Sequence, residues 1–387
     1  MNLSQTPTSR RSLLKFGAAA VPAVALGGLL PATAARAATA ANGAQLRMPA
    51  EDGRHTRTFM AWPALSSVWG NSLWNVRTDI ARVAYQLSRY EPVVVLARPG
   101  QAADARYSCG TGAYYGITVL EIPNDDLWIR DFGPTFLTAP GAIAGLDTNF
   151  NGWGKTGTPY YQPFANDAAA AGSLLAEYGV ERITAPFVGE GGSLETDGEG
   201  TLLATVSSLV NSNRNPGKSQ AQVEQDLKFS LGVSKVIWVP GLAGQDITDC
   251  HIDCLARFIA PGKVMLDQPG PGVSAQWVAV YNETKQILQS ATDAQGRRLS
   301  VTELPGPDKR YIRGTGKEFL SSYTNYYTAN GAVLMPQFGD SYADSTAYSI
   351  LQSAYPTRDI VQINIDNIAS GGGGIHCATQ SQPVVPR

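Results

Sequence analysis

The feature that most constrains the fold is a helix-like segment followed by a short, apolar, β-branched segment, repeated five times along the chain. The segments with helical spacing of apolar residues are Asn71–Ser88, Ala165–Tyr178, Gln220–Leu231, Ala275–Ser290 and Ala343–Tyr355. The strand-like segments that follow them are Val93–Leu96, Ile183–Val188, Val236–Val239, Leu299–Leu304 and Ile360–Ile365. This alternation predicts the α/β class. Its regular spacing favours five repeated units, and a single open α/β sheet is the alternative.

The beginning of the chain has the pattern of an export signal. Arg10 and Arg11 form a twin-arginine pair, an apolar run follows over 13–30, and Ala35 to Ala37 offers a small-residue cleavage site. Glycines and prolines interrupt the run, whereas a membrane anchor needs roughly 20 apolar residues. We therefore expect a signal peptide for the twin-arginine pathway and a secreted, periplasmic or cell-wall location.

The rest of the chain is expected to be one soluble domain. Without residues 1–37 the net charge changes from −2 to −6, because four positive charges are lost with that segment. A mildly acidic chain lacks the basic face expected of a nucleic-acid partner. We predict a flexible segment over 38–47 and a single catalytic domain over 48–387, with no membrane partner after cleavage and with a homodimer as a possible assembly.

Clusters of polar residues follow the predicted strands. Asn124–Asp131 comes after the strand-like Ile117–Ile122, and the three others are Glu190–Ser193, Thr248–Asp253 and the glycine run that ends at Cys377. Ligands in α/β proteins gather beyond the carboxyl ends of strands. The four clusters are therefore predicted to converge on one site.

Cys377 is the candidate nucleophile. It follows Gly371–Gly374, which permits unusual backbone angles and close approach to a ligand. A flexible tail with an incidental thiol is the simpler interpretation, and four cysteines in an exported protein also allow up to two disulfides. The neighbouring His376 points to the opposite side of an extended chain, so it is not expected to be the partner base.

His251 and Asp253 point to the same side of an extended segment, where an imidazole and a carboxylate can face one ligand. A surface loop with a half-buried histidine is the alternative. A metal site is a further one, because several zinc-type ligands are present, although their spacing matches no standard zinc pattern. These ligands are Cys250, His251, Cys254, His376 and Cys377.

Trp128 and Asp131 suit a planar cation. The indole offers a flat face and the carboxylate offers two acceptor oxygens for a guanidinium. In isolation the same stretch is typical of an Asp-rich turn with a core tryptophan. Glu190 is a further acidic candidate that could orient His251.

Taken together, these clusters resemble the family of agmatine deiminases and bacterial peptidylarginine deiminases, in the guanidine-modifying, pentein superfamily. The matches run in order along nearly the whole chain after the signal. They are Met48–Glu51, Met60–Pro63, Asn124–Pro134, Asn149–Gly154, Glu190–Ser193, Asp197–Thr201, Asn213–Pro216, His251–Asp253, Pro336–Asp340 and Gly371–Cys377.

The resemblance implies a five-bladed α/β propeller with the site on its axis. It implies that Cys377 is the nucleophile and His251 the acid and base, that Asp131 and Asp253 hold the guanidinium, and that Glu190 supports the histidine. The residues expected to contact substrate are Trp128, Asp125, Asn325, Glu195 and Gly374. Two positions depart from the family pattern: Glu195 replaces a frequent histidine, and Cys250 replaces the glycine before the catalytic histidine.

The expected reaction is hydrolytic deimination through a covalent thiouronium intermediate, without a metal or cofactor. Agmatine, giving N-carbamoylputrescine and ammonia, is the expected substrate. The alternatives are a peptidylarginine deiminase that forms citrulline, an exported metal-binding protein, and a catalytically silent binding protein of the same fold.

Overall fold

The computed structural model describes residue 39 and residues 43–314 and 316–387; the predicted signal peptide lies outside the described residues. Its helices are α1 Ser66–Trp69, α2 Leu73–Leu87, α3 Ala102–Cys109, α4 Ile129–Phe132, α5 Ala165–Glu177, α6 Val206–Leu209, α7 Gln220–Leu231, α8 Ala275–Ser290, α9 Ser341–Ala354 and α10 Asp366–Ala369. Its strands are β1 His55–Ala61, β2 Val93–Ala97, β3 Ile117–Glu121, β4 Thr135–Ala139, β5 Ala142–Asp147, β6 Glu181–Thr184, β7 Glu195–Thr196, β8 Thr201–Thr205, β9 Lys235–Val239, β10 Ala256–Ala260, β11 Lys263–Gln268, β12 Ser300–Pro305, β13 Tyr327–Ala329, β14 Ala332–Gln337, β15 Asp359–Asn364 and β16 Gln380–Pro383.

The five predicted helices are confirmed, as are the strands near 93, 236, 299 and 360. The strand predicted over Ile183–Val188 is wrong in its second half, since β6 ends at Thr184. Pro186 has no backbone N–H to donate to a sheet. The carbonyls of Ala185 and Phe187 instead accept from Asn149 Nδ2 at 2.9 and 2.8 Å. Side-chain bonds therefore replace the sheet ladder there.

The strands form five small sheets that repeat one pattern. In each sheet an antiparallel pair is followed by a helix and then by a parallel strand: β4 pairs with β5 in antiparallel fashion, α5 follows, and β6 returns parallel to β5. The units β7–β9, β10–β12 and β13–β15 repeat this arrangement. The remaining unit joins the two ends of the domain, because β16 pairs with β1 before β2 and β3 continue the sheet. The fold is thus a mixed α/β fold built from repeated units.

Sequence signals define helix α7 and its neighbourhood. Ser219 and Gln222 form a reciprocal capping box at its start, and Gly232 ends it with a φ of +66°. A side chain at Gly232 would lie 2.4 Å from the carbonyl oxygen of Leu46. The glycine therefore allows the segment before the domain to pack closely against this helix end.

The described end of the segment predicted to be flexible, 38–47, contacts the domain. Leu46 is 1 % exposed and belongs to the apolar cluster of the second and third sheets. Arg47 exchanges two backbone hydrogen bonds with Thr138, at 3.0 and 2.8 Å. These contacts hold residues 46 and 47 against the sheet that contains β4. In the part of the chain that the structure describes, no helix is both long and apolar enough to cross a membrane.

Candidate active site

Each connection between successive units supplies part of one site. Between β3 and β4 the short helix α4 carries Asp131, and between β6 and β7 a 3-10 turn follows Glu190. A second 3-10 turn between β9 and β10 carries Asp253. Asn325 precedes β13, and Cys377 precedes β16. The repeat of the fold thus brings together residues that are far apart in sequence.

Cys377 is buried and is held by Asn325. The amide nitrogen Nδ2 of Asn325 lies 3.3 Å from Cys377 Sγ, and the amide oxygen accepts from Cys377 N at 3.4 Å. Cys377 Sγ also lies 3.5 Å from Asp253 Oδ2. The hydrogen bond with Cys254 lowers the pKa of Cys377, but burial and the charges of Asp253 and Asp131 outweigh it and raise that pKa above its usual value. All four cysteines of the chain are free.

The glycine run gives close access to Cys377. A side chain at Gly373 would lie 2.3 Å from the ring of Trp128, and one at Gly374 would lie 2.4 Å from Asn325 Oδ1. Gly371 approaches the same indole. Trp128, which is 4 % exposed, packs against this run. The glycines are therefore needed for the loop to fit between the tryptophan and the asparagine.

A chain of charged groups orients His251. Its Nε2 lies 3.2 Å from Glu190 Oε2, while the other oxygen of Glu190 accepts from Arg214 Nε at 2.9 Å. Arg214 also donates to Asp249 Oδ2 at 2.6 Å, and Lys155 donates to the same carboxylate at 2.8 Å. His251 Nδ1 has no hydrogen-bond partner among the described residues, although it is buried. The free nitrogen faces the space beside Asp131, 3.6 Å from its Oδ1.

That space exists because residue 192 is glycine. A side chain there would lie 2.6 Å from His251 Nδ1, 2.8 Å from Asp131 Oδ1 and 3.1 Å from Asp253 Oδ2. Asp131 is fixed by Trp153 Nε1, which donates to Oδ2 at 2.9 Å. An imidazole and two carboxylates therefore surround a gap at Gly192, as the binding of a planar cation requires.

The charges around this gap shift the pKa values of its members. Burial alone would lower the pKa of His251, but Asp131, Glu190 and Asp253 raise it to about 9. Burial raises the pKa of Asp131 to about 6; the charge of His251 opposes this, and the neighbouring carboxylates add to it. At neutral pH the site thus holds an imidazolium among carboxylates.

Asp253 depends on His376, which sequence reasoning set aside. His376 Nδ1 lies 2.7 Å from Asp253 Oδ2, and Nε2 lies 2.8 Å from Glu51 Oε2. Burial alone would raise the pKa of Asp253, but the hydrogen bond and charge of His376, with the charge of His251, hold it well below its usual range. His376 therefore keeps Asp253 ionised, and its Nδ1 contacts the same carboxylate oxygen as the Cys377 thiol.

Two residues predicted to contact substrate have other partners. The Glu195 carboxylate lies 3.3 Å from Arg257 Nε and accepts from Phe258 N at 2.9 Å. Asp125 accepts from the backbone and side chain of Asn166 at 2.8 and 2.7 Å. Both carboxylates act here as anchors of buried polar groups, so the structure gives no support to contact with substrate. Trp128 lies against the glycine run, and Asn325 contacts Cys377 and lies close to Gly374. Contact of these three residues with substrate stays a prediction.

Cys250 adopts a backbone conformation that favours glycine. Its φ is +69°, and Asp249 before it has a φ of +60°. Such values are rare for residues with a side chain. The turn aims His251 into the site, which accounts for a glycine at this position in the family pattern.

A cavity of about 200 Å3 leads to His251 and Cys254. Its wall includes the acidic residues Asp246, Asp267 and Glu318. Burial raises the pKa of Asp267 to about 7, and the hydrogen bond from Ser322 partly opposes that shift. The cavity has room for a short substrate and carboxyl groups along its length.

A buried thiol, an oriented imidazole and two carboxylates in one buried cluster are the groups that a cysteine-dependent hydrolase of a cationic carbon–nitrogen group requires. The model of the Porphyromonas-type peptidyl-arginine deiminase family matches residues 47–383. The chain belongs to this family, within the guanidine-modifying, pentein superfamily, and is a hydrolase of carbon–nitrogen bonds.

Relatives named as agmatine deiminases cover most of the chain. It is 37 % identical over 359 residues to an agmatine deiminase of Pseudomonas aeruginosa, covering 87 % of this chain and 95 % of the relative. It is 36 % identical over 365 residues to an agmatine deiminase of Medicago truncatula, covering 87 % and 96 %. The solved agmatine deiminase of Enterococcus faecalis superposes with a TM-score of 0.80 at 33 % identity, covering 87 % of this chain and 96 % of that one.

Proposed function

We propose that the protein hydrolyses agmatine to N-carbamoylputrescine and ammonia, with Cys377 as nucleophile and His251 as acid and base. The observation that carries the proposal is the gap at Gly192, which His251 Nδ1, Asp131 and Asp253 surround. A guanidinium there has carboxylates for its nitrogens and Cys377 Sγ near its carbon. The names of the relatives support agmatine as the substrate.

The bound cation prepares the thiol. In the free enzyme the carboxylates hold the proton on Cys377, and the positive charge of the guanidinium offsets their effect, so that the proton leaves to solvent. The thiolate then forms a bond to the guanidinium carbon and gives a neutral tetrahedral adduct. Asp131 and Asp253 fix the plane of the substrate for this attack.

His251 serves both halves of the reaction. As an imidazolium it donates a proton to one nitrogen of the adduct. The C–N bond then breaks, ammonia departs, and a cationic thiouronium remains bound to Cys377. The neutral imidazole then takes a proton from water as the water oxygen bonds to the same carbon. Breaking the C–S bond returns the thiolate, and the hydroxyl proton of the adduct leaves to solvent, which gives the neutral ureido product. Glu190 holds the ring in one orientation through both steps.

The far end of agmatine is proposed to lie in the cavity next to His251. A primary ammonium there can be met by carboxylates of the wall, such as Asp246 or Glu318. Glu195 was the sequence-based candidate for this contact, but Arg257 engages its carboxylate. A peptidylarginine substrate is the second candidate, because the matching family model carries that activity in its description.

The test is formation of ureido product from agmatine, free arginine and an arginine-containing peptide in parallel. Agmatine should give the highest kcat/KM. Cys377→Ser should lose turnover by several orders of magnitude and keep its melting temperature. Faster turnover of the peptide would move the function to the second candidate, and turnover by Cys377→Ala would refute the nucleophile.

We also propose that the five sheets are the blades of a five-bladed α/β propeller. The repeated strand pattern and the contribution of every unit connection to one site support this arrangement.

Export by the twin-arginine pathway and homodimer formation are further proposals, the first supported by the Arg10 and Arg11 pair. Light scattering of the purified protein tests the dimer.

A further inference from the structure

Two sulfur atoms and a carboxylate converge beside the gap at Gly192. The side chains are Asp253, Cys254 and Cys377, and one ligand atom of each lies within 4.8 Å of those of the other two. Cys254 Sγ lies 3.3 Å from Asp253 Oδ1, and Cys377 Sγ lies 3.5 Å from Asp253 Oδ2. We propose that these three residues form a binding site for a thiophilic divalent cation, such as Zn2+ or Cd2+, whose occupation excludes the guanidinium substrate.

The separations suit such an ion. Zinc bonds of about 2.3 Å to sulfur and about 2.0 Å to oxygen, at a tetrahedral angle, place the two ligand atoms about 3.5 Å apart. The two sulfur–oxygen distances, each to a different oxygen of the Asp253 carboxylate, are close to that value. Two thiolates and one carboxylate provide three protein ligands, and water can take the fourth position.

The same three side chains all lie within hydrogen-bond distance of the amide nitrogen of Asn325. Its Nδ2 lies 3.2 Å from Asp253 Oδ2 and 3.3 Å from each of the sulfurs of Cys254 and Cys377. An amide nitrogen has two hydrogens, so it cannot donate a full hydrogen bond to three acceptors. At least one acceptor therefore retains capacity for a cation.

The surrounding charge favours a cation at this place. Asp131 is 3 % exposed and its carboxylate acts electrostatically on Cys377, whereas Glu190 is paired with Arg214 and His251. A buried pocket that attracts a singly charged guanidinium attracts a divalent ion more strongly. Binding releases the two thiol protons to solvent and forms two metal–sulfur bonds, which engages the sulfur that would attack substrate.

The site is separable from the proposed function. Metal binding requires only the three side chains, whereas inhibition of turnover rests on the proposed role of Cys377. Cys254 lies outside the sequence clusters from which the nucleophile and the acid and base are predicted. It is therefore the residue whose replacement tests the metal site.

The experiment is titration of the full chain with Cd2+, followed by the ultraviolet thiolate-to-metal charge-transfer absorbance. We expect one ion per chain and competition with agmatine. In Cys254→Ser the affinity should fall by at least 100-fold, since even outer-shell changes cost up to about 100-fold. The absorbance per bound ion should halve, because one thiolate remains. For each variant, the turnover rate with metal is divided by the turnover rate of the same variant without metal.

Cys109→Ala is the matched control. Cys109 is buried at the end of α3, and its sulfur is not among the converging ligand atoms of Asp253, Cys254 and Cys377, so its loss should leave Cd2+ binding unchanged. Absence of the absorbance band, or wild-type binding by folded Cys254→Ser, would overturn the metal site. If Cd2+ binds as expected but the metal-free protein does not hydrolyse agmatine, the metal site stands and the proposed function fails.

Discussion

At the scale of single residues, the site depends on charges that modify one another. Asp131 and His251 lie 3.6 Å apart, with pKa values raised to about 6 and about 9. The guanidinium of the substrate supplies a positive charge that pairs with the buried carboxylates. Binding and protonation are therefore coupled.

This coupling predicts different acid limits for kcat/KM and kcat. In the free enzyme Asp131 is protonated below about pH 6, so kcat/KM for agmatine should fall as the pH drops through that value. The bound guanidinium stabilises the carboxylate and lowers its pKa, so the fall of kcat should occur at lower pH. Steady-state rates from pH 4 to 8 measure both limits. Coinciding limits would contradict the role of Asp131 in binding the cation.

Cys250 gives a prediction about stability. Its φ of +69° costs roughly 1 kcal/mol for a residue with a side chain. Cys250→Ala keeps that cost and loses the buried sulfur, whereas Cys250→Gly loses the sulfur and relieves the backbone. The glycine variant should therefore be about 1 kcal/mol more stable than the alanine variant in urea unfolding. An alanine variant of equal or greater stability would show that the turn is not strained.

At the scale of elements, the 3-10 turn Gly191–Ser193 has one glycine that faces the backbone and one that faces the site. Its two glycines face different neighbours: a side chain at Gly191 would lie 2.2 Å from the carbonyl oxygen of Arg130, which is backbone. A side chain at Gly192 would meet only side-chain atoms of the site among its nearest neighbours. Adjacent positions should thus respond differently to the same change.

Gly192→Ala should lower kcat/KM for agmatine at least 100-fold, because the methyl group occupies the proposed place of the guanidinium. Its melting temperature should change little. Gly191→Ala is the comparison and should lower the melting temperature, because a backbone atom must move. Wild-type kcat/KM in Gly192→Ala would place the substrate elsewhere.

The sequence predicts the elements better than the contacts between them. Apolar spacing locates helices such as α7 and α8 at their observed ends, since it reflects which face is buried. It does not show that Glu51 meets His376, which lies 325 residues away in sequence. The match at Met48–Glu51 was visible, but the role of Glu51 follows only from the fold. Likewise the rule that neighbouring side chains point apart does not show that His376 and Cys377 both contact Asp253 Oδ2.

At the scale of the whole molecule, the proposed export signal gives a prediction outside the described residues. Twin-arginine transport carries folded proteins and depends on the arginine pair. Replacing Arg10 and Arg11 together with lysine keeps the charge and should leave the protein inside the cell. Fractionation of expressing cells measures the distribution, with the unchanged chain as control. Undiminished export would refute the twin-arginine assignment.

The pairing of β16 with β1 has a consequence for folding kinetics. His55 pairs with Pro383, so this sheet forms only when residues far apart in sequence meet, and such pairing is slow because a long loop must close first. Cys377 lies shortly before β16, so we expect its thiol to reach Asp253 in a late stage of folding.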